Sequence, residues 1–405
     1  MKLLVISISA PPKNSPESVQ TGRYLYYLAK NHDVTLLTTS TVGGWEPEDD
    51  SLGKYLQEVH SRVSIKMPHP RLLSVIRRIL PFVVVPDDNF FFPKLFGFAA
   101  KKVSSKHEII ISRSAPFSSA LMALKFSQNW SLPWIMHLSD PWADNPFQKL
   151  TKRSKERNQF YERICVENAS LVTLTSAKTV VYYQHKYPEQ AHKFRLLPNV
   201  FDDAFINSTP VEFSGKIKFV LTGRLYGSRN IFSLMDAIEQ ASIKRPGFED
   251  QSEFIFAGFF DQENIDCIKH SKLRNVKYLG HLPMEEAIHL QQSSSVLVAI
   301  DALNEDAIFD LFFPSKLLDY FCAKRYILCI TSRSSTTYEL VNQKFGRCFH
   351  AENIHELSDH LIFLAEQFVS KNSNLFKVDE NFMAYSASKN AETLEALIQE
   401  VAAND

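Results

Sequence analysis

The chain alternates between short, continuous apolar runs and longer stretches with helical spacing. The runs at 3–8, 34–39, 108–113, 133–137, 171–174 and 194–197 show no in–out alternation, which predicts parallel strands covered on both faces. Between them, 18–31 carries Leu25, Leu28 and Ala29 on one face. The stretch 151–168 likewise places Phe160, Ile164 and Val166 inward, and both predict helices. After a polar stretch at 203–215 the pattern restarts, with strands expected at 217–222, 253–257, 276–279, 295–300, 326–330 and 347–350. Helices are expected after 230, at 354–368 and at 380–403. This is the signature of an α/β chain with two doubly wound domains. Such domains bind ligands beyond the C-terminal ends of their strands, so the strand exits are where chemistry is expected.

Composition narrows the class. At 405 residues, with 45% hydrophobic and 22% charged residues, the chain suits two globular domains of ordinary size. Its formal net charge is zero, so nothing pulls it as a whole toward nucleic acid or anionic lipid, and any electrostatic site is local. Five scattered cysteines form no CxxC pair, as expected of free thiols in a reducing cytoplasm. The apolar start is too short for a signal peptide and is broken by Pro11 and Pro12; no run reaches the roughly 18 apolar residues of a membrane span. The stretch 71–102 combines Arg71, Arg77, Arg78, Lys101 and Lys102 with many apolar and aromatic residues. It reads either as core helix with a basic outer face or as a peripheral membrane contact.

Three strand exits carry candidate chemistry. After the strand at 217–222 come Gly223, Arg224, Gly227 and Arg229, two glycines for close approach and two guanidiniums able to hold a diphosphate. After the strand at 295–300 comes an acidic loop with Asp301, Glu305, Asp306 and Asp310, which is either a site or simply solvated. It leads into Phe313-Pro314-Ser315-Lys316-Leu317-Leu318-Asp319, where a proline, a hydroxyl and a cation open a helix. A helix start there is either an ordinary cap or an anion site, with Asp319 one turn in to accept a ligand hydroxyl. In the first half, Gly22 and Arg23 follow the first strand and are expected to line a cleft. His137 and Asp140 end the strand at 133–137. His137 is either a structural histidine or a sugar contact, and Asp140 either a turn residue or an acceptor-orienting carboxylate.

The stretch from Phe313 to Leu328 resembles the nucleotide-sugar motif of GT-B glycosyltransferases, family 4-like, with Asp319 where that family has the ribose-binding glutamate. Lys324-Arg325 replaces its usual Gly-Lys-Pro turn. The block from Pro86-Asp87 through Ser114-Ala-Pro-Phe-Ser-Ser119 to Asp140-Pro141-Trp142 is similar to a bacterial branch of the same group, as is the Pro198-Asn199-Val200-Phe201-Asp202 segment. The resemblance implies a GT-B fold: two Rossmann-like domains facing a central cleft. The acceptor side would be 1–202, the linker 203–215 and the donor side 216–380, with a terminal helix at 381–405 crossing back to the first domain. It also implies retaining transfer of a sugar from a UDP- or GDP-type donor to a glycan or lipid-linked acceptor in surface polysaccharide synthesis. Arg224 and Arg229 would neutralise the diphosphate, His281 and Leu282 would border the base, and Asp310 would replace a first glutamate missing in register. No resident cofactor, no metal and no nucleic-acid partner are expected, and the place is the cytoplasm or the inner membrane surface. A nucleotide-sugar 2-epimerase or a non-catalytic nucleotide-sugar-binding scaffold would share the fold.

Overall fold

The computed structural model of the chain describes residues 1–40, 48–68, 75–76, 78–79, 81–103, 106–146, 148, 150–302, 307–378 and 380–403. They form two compact units. The first comprises Met1–Val200 with Ala384–Asp405, the second Phe201–Met383.

The first unit is a seven-stranded parallel sheet, in spatial order β3-β2-β1-β4-β5-β6-β7. Its strands are β1 (Lys2–Ile6), β2 (Asp33–Ser40), β3 (Ser61–Lys66), β4 (Ile109–Ser114), β5 (Trp134–Leu138), β6 (Leu171–Leu174) and β7 (Phe194–Leu196). Helices α1 (Pro16–Asn31), α2 (Phe96–Lys102), α3 (Ser118–Trp130), α4 (Lys152–Asn168) and α5 (Ala177–Lys186) connect them. The period of two along each strand divides the core cleanly. Leu4, Ile6, Ile110, Trp134 and Met136 pack toward α3 and α4, while Leu3, Val5, Ile109, Ile111 and Ile135 pack on the other side. The latter side is covered by α1 and by the helix that ends the described chain, Ala387–Ala403, through Leu394, Leu397, Ile398 and Val401.

Several motif residues turn out to be structural. The Asp87 carboxylate accepts from the backbone N–H of Ser118 at 2.8 Å and from its hydroxyl at 2.7 Å, capping α3 from a distance in sequence. Trp142 is fully buried, stacked on Phe117 at 4.9 Å, with its indole N–H on Asn158. In α4 the inward line is polar, with Asn158 and Glu162 fully buried, and Phe160, expected inside, is 50% exposed. Glu162 accepts from the Ala143 N–H, Tyr183 and Tyr187 and pairs with Lys186, so its partners override hydrophobic spacing.

The second unit is a six-stranded parallel sheet, order β10-β9-β8-β11-β12-β13. Its strands are β8 (Ile217–Leu225), β9 (Ser252–Phe260), β10 (Val276–Tyr278), β11 (Val296–Ile300), β12 (Tyr326–Ile330) and β13 (Gly346–Phe349). Its helices are α6 (Phe232–Lys244), α7 (Phe248–Gln251), α8 (Gln262–His270), α9 (Met284–Gln292), α10 (Lys316–Ala323), α11 (Thr336–Val341) and α12 (Ile354–Val369); the terminal helix of the first unit is α13.

The segment expected as a linker at 203–215 belongs to this second unit. The Asn207 N–H donates to the Cys322 carbonyl at 2.8 Å, and its side-chain amide donates to the Ala323 carbonyl at 3.1 Å, tying the segment to the end of α10. The same place accounts for Lys324-Arg325. Lys324 takes the left-handed conformation, φ 52°, that a glycine would normally supply after a helix. Arg325 is buried and donates to the carbonyls of Ser294, Gln292 and Thr209, so one guanidinium joins the end of α9 to the incoming segment. Replacing it leaves several buried carbonyls without a donor. Arg325→Ala is expected to lower unfolding free energy by about 3 kcal/mol; a near-neutral denaturant midpoint would show that these bonds are incidental.

Candidate functional site

In the second unit the site grows from the exits of β8 and β11. Gly223 and its register partner Gly258 both have positive φ, 124° and 132°, and a Cβ at Gly258 would fall 1.8 Å from the Gly223 carbonyl oxygen. No other residue fits there, because the two strand backbones approach each other without room for a side chain. Beyond the glycine pair, β8 continues into the loop bearing Arg229. A Cβ at Gly223 would lie 3.8 Å from the Lys316 side chain, so the helix start approaches bare backbone.

Lys316 is the centre of this cluster. Burial and the nearby Arg229 guanidinium lower its ammonium to about 8, against the opposing pull of Asp301. The Arg229 Nε is buried without a hydrogen-bond partner, and so is one carboxylate oxygen of Asp301. The other Asp301 oxygen accepts from Thr331 at 2.7 Å, and Thr331 shares a hydrogen bond with Ser335. Two cations and one carboxylate thus stand together at a strand-exit edge with unused donors and an unused acceptor. That arrangement suits an anion carrying a hydroxyl-rich group.

The sequence-predicted residues distribute unevenly around this centre. Arg229, Lys316 and Gly223 are brought together. Ser315 is the cap position of α10, preceded by Pro314, whose carbonyl accepts from the Leu317 N–H, and its hydroxyl makes no capping bond. Asp319 lies one turn into α10, half-buried. Arg224 is exposed and lies over the Phe259 ring at 5.4 Å; Phe259 stacks on His281 at 4.2 Å. Leu282 is partly buried beside it. Arg224 therefore belongs to an exposed planar stack rather than to the cation cluster. Phe259, missed from sequence, carries that stack; its signal was an aromatic residue just past a strand glycine. Asp310 does not join the described contacts of Lys316, and its carbonyl accepts from Thr336. Glu305 and Asp306 lie outside the described residues. Among the described residues no group of three or more His, Cys, Asp or Glu side chains is arranged to hold a metal ion.

In the first unit the polar cluster sits at the exits of β4 and β5. Glu17, in the first turn of α1, accepts from the Arg113 Nε–H at 3.3 Å and from the Ser139 hydroxyl. Asp140 is pushed up to about 7 by burial and by the Glu17 charge, and burial raises Glu17 as well. A carboxyl near neutrality can hold or accept a proton at working pH. Arg113 and Glu17 carried no sequence signal, because the pairing joins residues far apart in the chain.

His137 takes the structural alternative. It is 1% exposed, its Nδ1 pairs with Thr173 at 3.0 Å, and it lines a small enclosed cavity with Leu25, Arg113, Leu197 and Leu394 under the sheet. Burial and Arg113 keep its ring well below the usual histidine range, hence neutral. Gly22 and Arg23 are buried too. A Cβ at Gly22 would meet Pro11 at 2.8 Å, and Arg23 donates to the Val200 carbonyl at 2.5 Å. Gln20 adds two bonds to Val200 and Tyr24 one to Pro198, so this part of α1 anchors the Pro198–Val200 turn instead of lining a cleft.

No family profile matches the chain, and no curated protein sequence matches it. Solved structures do. HepE from Anabaena in complex with UDP superposes with a TM-score of 0.62 at 14% identity, covering 99% of this chain and 100% of the other. A glycosyltransferase from Rickettsia africae gives 0.62 at 14%, covering 100% and 99%. Sucrose-phosphate synthase from Thermosynechococcus elongatus gives 0.64 at 14%, covering 100% of both. At this identity the likeness establishes the fold, two Rossmann-like domains of GT-B type along the whole chain.

Asp140 generates a stability test. With a folded value near 7 and an ordinary unfolded value, the folded state holds more protons between those limits, so Asp140 loses the chain stability as pH rises toward 7. Asp140→Asn should therefore raise Tm at pH 8 more than at pH 5. Equal shifts at both values would show that the carboxyl titrates normally.

Proposed function

We propose that the chain is a retaining glycosyltransferase, family 4-like, that takes a nucleotide diphosphate-sugar and passes the sugar to a polysaccharide, lipopolysaccharide or lipid-linked acceptor. The observation that carries this reading is the Lys316–Arg229–Asp301 cluster at the strand exits of the second domain. Arg229 and Lys316 hold the diphosphate and stabilise the charge that develops on it as the glycosidic bond breaks, the electrostatic work that a metal performs elsewhere. Asp301 accepts from a sugar hydroxyl, and Asp319, one turn into α10, accepts from the ribose. The Phe259–His281 stack with Arg224 receives the base. UDP is the nucleotide to test first, since HepE and the TarM protein of S. aureus each have a structure with UDP.

The first domain contributes Asp140, which orients the acceptor hydroxyl, while the leaving phosphate takes its proton. The reading needs no resident cofactor or metal, so transfer should survive EDTA. A lipid-linked acceptor is favoured by the exposed Val75 and Ile79 and by Phe98, exposed on the same helix as Lys101 and Lys102, which suit a peripheral contact with a membrane surface. Arg71, Leu72, Leu73, Ser74, Arg77 and Leu80 of that stretch lie outside the described residues. Phe90 and Phe92 are core residues, so the contact is confined to its flanks. No helix among the described residues is long and apolar enough to cross a membrane.

The test is a thermal-shift series with UDP, GDP and ADP and their sugar conjugates. A ligand at a hundred times its Kd adds about 2.7 kcal/mol, so UDP or GDP should raise Tm clearly; no shift with any of them would remove the reading. Lys316→Met separates binding from folding. The variant should lose the nucleotide shift, yet be more stable alone by about 1 kcal/mol, or roughly 2–4 °C, because the folded chain no longer holds a repelled ammonium. Because the Lys316 ammonium loses its proton near 8 in the free chain, nucleotide affinity should fall as pH rises through about 8. Retention is checked by NMR on the anomeric proton of the first product formed.

A further inference from the structure

A cavity of about 440 Å³ opens along the outer edge of the second sheet, beside β13. Neither Lys316 nor Arg229 nor Asp301 lines it. The volume is that of a small-molecule site. Strand addition is blocked there: the Asn342 side chain accepts from the Cys348 N–H at 3.1 Å, and the Gln343 N–H donates to the Gly346 carbonyl at 2.9 Å, so the edge backbone is already bonded.

The walls are aromatic and the rim is cationic. Phe349 and Phe363 flank the His360 ring at 5.2 Å and 5.7 Å, the latter nearly parallel at 24°. His360 is locked by a 2.9 Å bond to the Tyr326 hydroxyl, and burial with the Arg347 charge lowers it to about 4, leaving a neutral flat surface. Phe363 is 40% exposed, so its ring offers an accessible apolar face to the cavity. Arg333 and Arg347 stand exposed at the rim, and neither forms an ion pair with any described residue. Arg347 lies 5.2 Å from the Phe349 ring. The opposing charge in the lining is Glu356; His350 is engaged with Glu352 at 3.7 Å. The lining thus holds two guanidiniums and one carboxylate, with Glu352 beside His350 just outside it.

We propose that this cavity is a second ligand site, separate from the nucleotide site, for a small anion with a planar apolar body such as an aryl phosphate. The guanidiniums take the anionic group and the Phe363–His360 face takes the plane. The test is calorimetric titration of the full chain with phenyl phosphate, with inorganic phosphate as the comparison. Phenyl phosphate should saturate one site and bind at least about tenfold more tightly than inorganic phosphate. The double variant Arg333→Ala, Arg347→Ala should weaken it by about tenfold or more, with an unchanged Tm because both side chains are exposed. Phe363→Ala should remove the advantage of phenyl phosphate over phosphate. Lys316→Met should leave the titration as it was. Absence of saturation up to about 10 mM, undiminished binding in the double variant, or loss in Lys316→Met alone would each overturn the proposal. Because the probe carries no nucleotide, failure here leaves the donor-site reading standing, and failure of that reading leaves this site to be judged by its own titration.

Discussion

Lys316 and Arg229 repel each other in a partly buried space, and the second domain is built to keep them there. The fold does so mainly with backbone, helped by one counter-charge. Gly223 and Gly258 remove every side-chain atom from the strand pair beside Lys316, and the start of α10 sets its direction. Asp301 offsets part of the repulsion while committing only one of its oxygens to Thr331. The cluster therefore costs the fold stability as it stands, a cost that an anion placed between the two cations would offset.

The first domain follows a different logic. Its chemistry-bearing residues are mostly consumed by the fold. Asp87 caps α3, Trp142 fills the core, and Gln20, Arg23 and Tyr24 hold the Pro198–Val200 turn. What is left at the strand exits is Asp140, with Glu17 close enough to raise it and Arg113 bonded to Glu17, opposing the upward push of burial on that carboxyl. A motif can be a faithful signature of a fold while most of its residues act on the protein itself.

Both parallel sheets were legible from their runs of apolar residues, because a strand covered on two faces has no polar positions to alternate; the exception is the edge strand β3, whose alternating exposure left no such run. The Lys316 helix start was legible because proline, serine and lysine state their preferences locally. What could not be read is whatever depends on pairing across distance. Arg224 and Arg229 look equivalent five residues apart, yet the strand sends one to Phe259 and the loop beyond it sends the other to Lys316. His137 ends a strand as expected, but the parity of that strand turns its ring under the sheet toward Leu394, near the other end of the chain. The stretch 203–215 looked like a linker because its bonds are to Cys322, Ala323 and Arg325, over a hundred residues away.

The first domain is assembled from two separated pieces of chain, and this fixes an order of events at the ribosome. Leu3, Val5, Tyr24 and Ile135 share their cluster with Leu394, Leu397, Ile398 and Val401, while Glu395 and Glu400 pair with His32 and Arg195. During synthesis the sheet of this domain can form early, but one flank stays open until the final helix has left the exit tunnel. The second domain, made of one uninterrupted segment, has all its parts before that moment. The domain whose sheet is translated first is therefore sealed only after the second domain, and a chain not yet translated through α13 exposes an apolar flank.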